Sequence, residues 1–183
     1  MAKLPGMSKK LFHHGVITQE ELNTLLSCIQ ASETYLRYHY SYNIKLHDQK
    51  AEHCAKFALS SPTETAFQEV CTESHTHHQC HHCTLVDQVF AALKNALQLA
   101  STENLMDAED LDNFDYDLTQ HLKAVQEFRV HAIRAFNQNY HWEEAINKRN
   151  PKQVFITMDW AMVGKSINEA GWQAYFLLIE NSS

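Results

Sequence analysis

The residues best equipped for chemistry lie in one short stretch, Cys71 to Cys83, which reads CTESHTHHQCHHC. Zinc takes four soft or borderline donors in a tetrahedron, and thiolate and imidazole are the side chains that supply them. Cys80-His-His-Cys83 has the C-x-x-C spacing of a knuckle, in which a tight turn brings two sulfurs to one ion. Cys71 stands nine residues upstream with several His between. Cys71, one of His75 or His77, Cys80 and Cys83 would complete a Cys₃His structural zinc site, and the spacing leaves the choice of His open. His81 and His82, inside the knuckle, are poorly placed to join the same ion. His53-Cys54 could add a donor from upstream, but that pair reads more simply as a surface imidazole and a buried thiol. Two other readings compete. A redox C-x-x-C calls for a strand before it and a helix after it, and loose His-rich metal binding calls for no fixed structure. Four ligands from the cluster would leave no open position for catalysis.

Other candidates carry less. Asp159 ends the run VFITMD, at the tip of an expected strand, where a carboxylate can hold a catalytic metal or simply cap the next turn. Gly164-Lys165-Ser166 imitates the end of a phosphate-binding loop, but the glycine required five positions earlier is Asp159, which excludes one. His121 and His131 are too far apart on a helix to share an ion.

The elements that would position these residues are mostly helical. The chain has 183 residues, 44% of them hydrophobic, with only 4 Gly and 3 Pro. That composition supports a packed core and disfavours turn-rich all-β folds. Thr18-Gln-Glu-Glu21 is a capping box, and Leu22, Leu25, Leu26, Ile29 and Leu36 follow at helical spacing, predicting a helix over 18–38. Tyr38, Tyr40, Tyr42, Ile44 and Leu46 alternate with polar residues, predicting a short extended segment, with an aromatic end to the preceding helix as the alternative. A short helix is expected over 49–60, ending before Pro62, and another over 85–100. Residues 101–117 hold seven acidic and no basic residues, and read as an acidic connection over 101–113. Leu118, Leu122, Val125, Phe128, Ile133 and Phe136 mark a long helix over 114–149, stopped at Asn150-Pro151. About 30 helical residues would span roughly 45 Å, and such a helix packs on a partner in cis or forms a homodimer. The domain reading is therefore a polar leader (1–17), a helical zinc-binding region (18–100), the acidic linker, the long helix to 150, and a strand near 153–158 with a divergent tail to 183. The fold class is mainly α.

The net charge is −7, without the basic excess of a dedicated nucleic-acid-binding domain. Binding to DNA would have to use a local patch, of which Lys148-Arg149 with Lys152 is the one modest example. No apolar run of about 18 residues is present, so no membrane span is expected. Without a signal peptide the cysteines are expected in a reducing, intracellular compartment.

Several segments together carry a resemblance: EHCAKFALSSPTETAFQEVC, the Cys/His cluster, RVHAIRAFNQ in the long helix, and VFITMDWAM. They resemble a group of uncharacterised multicopy invertebrate proteins that look transposon-derived. In that group a helical zinc-binding region precedes a ribonuclease H-like transposase core. The resemblance covers roughly residues 20–162. It implies that Cys71, Cys80 and Cys83 are zinc ligands, that His75 and His77 match the group's His-x-His with one extra residue before Cys80, and that Asp159 corresponds to a first catalytic acidic residue. It stops after Met162, which makes a truncated copy with an incomplete catalytic core the simplest account.

Overall fold

The computed structural model describes residues 1, 3–60, 71, 75, 79–148, 157–159 and 173–175. Two compact units divide the chain, Met1–Trp142 and Glu143–Ser183. The architecture is mainly helical, as its composition requires. In chain order come α1 (Leu4–His13), α2 (Gln19–Tyr38), α3 (Tyr40–Asn43), a 3₁₀ turn (Ala51–His53), α4 (Ala55–Leu59), α5 (His81–Thr102) and α6 (Ala108–Asn147).

α2 begins where the sequence says. The Thr18 hydroxyl accepts from the Glu21 N–H at 3.2 Å, and the Thr18 N–H donates to the Glu21 carboxylate at 2.7 Å. Both halves of the capping box are therefore formed. α2 packs against α5, and α1 packs against both. Leu4, Leu11, Ile29, Leu36, Val86, Val89 and Leu93 meet in one core, which α6 extends with Phe114, Leu118, Val125 and Ile133.

Three expectations are corrected. Residues 1–17 are not a polar leader. Leu4 and Leu11 are fully buried, and α1 ends on Gly15, whose φ of +71° is the left-handed conformation that glycine adopts at no steric cost. The Val16 N–H then reaches the Leu11 carbonyl at 3.0 Å and the Gly15 N–H that of Phe12 at 2.9 Å, a Schellman stop. Secondly, Tyr40–Asn43 is a helical turn rather than an extended segment, because Tyr40 turns inward, is buried, and gives its hydroxyl to the Glu52 carbonyl at 3.0 Å. Thirdly, most of the acidic connection is helix. α5 closes on Asn104 (φ +53°), with Leu105 N–H bonded to Ala100 O at 2.9 Å. Asp107 then caps α6 by accepting from the Asp110 N–H at 2.8 Å. Asp110 and Glu109 sit in the first turn, where carboxylates complement the helix dipole.

In the second unit, Thr157–Asp159 (β1) pairs antiparallel with Gln173–Tyr175 (β2), placing Asp159 opposite Gln173. This three-residue pairing does not support a strand over 153–158, since 153–156 lie outside the described residues. No helix among the described residues is long and apolar enough to cross a membrane.

Candidate metal centre

The end of α2, the loop after it and the start of α5 converge on one buried point. Residues 53–56 are tied to residues 45–46 by backbone bonds: Lys45 N–H to His53 O at 2.9 Å, Ala55 N–H to Lys45 O at 2.9 Å and Lys56 N–H to Leu46 O at 3.2 Å. This clamp carries His53 into the core at 2% exposure, against the surface position its sequence context suggested. Cys80 is the N-cap of α5 and Cys83 lies in its first turn, 3% and 0% exposed. His53, Cys80 and Cys83 place one donor atom each within 4.8 Å of the other two. His53 Nε2 is 3.6 Å from Cys83 Sγ. Zinc bonds of about 2.3 Å to sulfur and about 2.0 Å to nitrogen, at the tetrahedral angle, set an S···N edge of about 3.6 Å. The trio is compatible with a metal site.

A fourth polar atom faces the same point. Tyr35 Oη, in the last turn of α2, stands 2.8 Å from His53 Nε2 and 3.5 Å from each of the two sulfurs. The Tyr35 ring stacks on His82 and meets Tyr40 edge-on, and Tyr40 in turn meets His53. From the other side Arg129 of α6 donates to the Cys83 carbonyl at 3.3 Å and pairs with Asp87 at 3.0 Å.

The electrostatics suit a ligand set. Burial holds the His53 imidazole below its ordinary pKa, so the ring is neutral, as a ligand must be. Burial also pushes the Cys83 thiol up to about 12. The Cys80 thiol is raised by burial but brought below its ordinary value overall by hydrogen bonds from the Tyr35 hydroxyl and from the Cys83 and His82 N–H groups. The Cys80 thiol therefore gives up its proton more readily than a free thiol, and the Cys83 thiol less readily. The redox reading fits less well. A reactive C-x-x-C presents a partly exposed sulfur, and both of these are buried.

The second cluster lies one residue along the chain. Cys54 Sγ is 3.5 Å from Cys71 Sγ, and Cys71 Sγ is 3.2 Å from His75 Nε2. Cys54, Cys71 and His75 form a separate trio whose donor atoms also lie within 4.8 Å of one another. Spacing alone groups Cys71, a His, Cys80 and Cys83 around one ion; the fold instead gives Cys80 and Cys83 to His53, and Cys71 and His75 to Cys54. His77 lies outside the described residues. Asp159 belongs to the second unit, at the end of β1. His53, Cys54 and Tyr35 are contributors from outside the Cys71–Cys83 stretch; the sequence allows His53-Cys54 as a donor pair but favours a surface imidazole and a buried thiol. The adjacency His53-Cys54 was a usable signal for two of them, and Tyr35 had none. No family model, no curated protein and no solved structure matches this chain.

Proposed function

We propose that this chain is a structural-zinc-binding helical module of a transposase-like protein, acting by binding nucleic acid or a protein partner rather than by catalysis. The observation that carries the zinc is the buried meeting of His53, Cys80 and Cys83 from two segments far apart in the chain. Two thiols and a neutral imidazole buried together are a donor set suited to zinc. An ion there would tie the 45–54 loop to the start of α5, with Tyr35 holding the end of α2 against the same point. Structural zinc contributes about 10–16 kcal/mol of apparent binding in small finger peptides, against a whole-domain stability of about 5–15 kcal/mol. The ion would therefore decide whether this junction is ordered. The transposase-like context rests on the sequence resemblance.

The binding role is tested by titrating the zinc-loaded protein against a fluorescent duplex DNA of mixed sequence across a salt series. Affinity that falls steeply with salt is expected for nucleic-acid binding. No detectable binding at low salt would remove DNA as the partner. A second reading, a protein-interaction module that dimerises through the long helix, is favoured by the exposure of Tyr140, which stacks on Phe136 one turn earlier on α6. It predicts a concentration-dependent dimer in sedimentation and no DNA binding.

A further inference from the structure

We infer that the chain holds a second metal ion, bound by Cys54, Cys71 and His75, separate from the ion of the buried trio. The distances run a few tenths of an ångström shorter than those of a loaded donor set, with Cys71 Sγ 3.2 Å from His75 Nε2. An ion bonded at about 2.3 Å to sulfur and about 2.0 Å to nitrogen holds its sulfurs about 3.8 Å apart, and Cys54 and Cys71 stand 3.5 Å apart. That is far beyond the roughly 2.05 Å of a disulfide. The tautomer of His75 is set as well. Its Nδ1 lies 3.3 Å from the Gln49 carbonyl, which can only accept, so Nδ1 carries the proton and Nε2 turns its lone pair toward Cys71. A backbone carbonyl holding the far nitrogen of an imidazole is the usual support of a metal-bound His.

One ion cannot serve both trios. Six donors exceed a tetrahedral shell, and the two trios share no member. His53 and Cys54 are consecutive: His53 closes the 3₁₀ turn, and Cys54 follows it with extended backbone (φ −86°, ψ 108°). His53 reaches the core cluster while Cys54 reaches Cys71 and, at 3.6 Å, the Leu46 carbonyl. The two ions would thus be held by separate donor sets that meet at consecutive residues. The second site has its own character: Cys54 is fully buried, whereas Cys71 and His75 are only half-buried. Among the described residues it has three donors, and a further donor or water would complete the shell. The expected ion is a borderline divalent cation such as zinc, and it should exchange faster than the buried one.

Metal analysis of the full chain purified with zinc tests this. Two equivalents per chain are expected, falling to one in Cys71→Ser and to one in His75→Ala, with helix content by circular dichroism unchanged. His53→Ala should also lose one. Release to a chromogenic chelator should be biphasic in the wild type, with the fast phase missing in His75→Ala. A single equivalent that Cys71→Ser and His75→Ala both leave in place overturns the second site. So does a single equivalent that both Cys71→Ser and Cys80→Ser remove, which would mean one shared ion. A wild type without metal would overturn the buried site along with it.

Discussion

His53 and Cys54 are neighbours in the chain but serve different clusters: His53 Nε2 lies 3.6 Å from Cys83 Sγ, and Cys54 Sγ lies 3.5 Å from Cys71 Sγ. The backbone of residues 53–56 is tied to Lys45 and Leu46 by three hydrogen bonds. The loop after α2 thus supplies one donor to each of two clusters.

Cys80→Ser should remove the ion of the buried trio and disorder the junction around it. Cys80 caps α5 and faces Tyr35, so the loss should appear in the first turns of α5 and in the loop holding His53. Hydrogen exchange by mass spectrometry should show lost protection in these segments, while the middle of α5, packed through Val89 and Leu93, stays protected. Full protection throughout would mean that no ion supports this junction.

Tyr35→Phe deletes a buried hydroxyl that contacts His53 and both sulfurs. Because the hydroxyl faces the point where an ion would sit, its loss should weaken zinc binding. Competition with a chelator of known affinity measures it, and unchanged affinity would show that the hydroxyl only fills space.

Thr18→Ala provides a control away from the metal. It removes the side-chain acceptor that starts α2, at a cost of about 1 kcal/mol. In a chain of this size that lowers Tm by about 2–4 °C. Zinc content should not change, which separates a general loss of helix stability from loss of the ion.

His121 gives a pH dependence independent of the clusters. Burial, with help from the positive N-terminus, lowers its pKa below the ordinary 6.5, and its Nε2 is buried with no hydrogen-bond partner among the described residues. The unfolded chain therefore takes up the proton first as pH falls. Stability present above 6.5 is lost as pH drops through that value toward the native pKa. His121→Gln should flatten this: the Tm difference between wild type and variant should shift against the wild type between about pH 7.5 and pH 5.5, and a constant difference would contradict the assignment.

Much of the helical layout was legible because it rests on local rules. The Thr18–Glu21 capping box and the apolar stripe from Leu22 to Leu36 place α2 within a residue, and the run from Val86 to Leu97 locates most of α5. What was illegible is tertiary. Tyr40 alternates with polar neighbours like a strand residue, yet a helical turn lets it bury its ring beside Tyr35. The N-terminal segment looks polar, but Leu4, Met7 and Leu11 fall on one face, and Gly15 was an overlooked stop signal. For the metal centre, the C-x-x-C spacing marked Cys80 and Cys83, because a knuckle is a local motif. Their nearest third donor is His53, thirty residues upstream in space made by the fold, and spacing alone carries no such information.

The most direct measurement of the central claim is the zinc content and melting temperature of the purified wild type beside His53→Ala. The account predicts zinc in the wild type, one equivalent fewer in the variant, and a clearly lower Tm that added zinc does not restore. A metal-free wild type that is fully folded, or a His53→Ala variant with undiminished zinc, would contradict it.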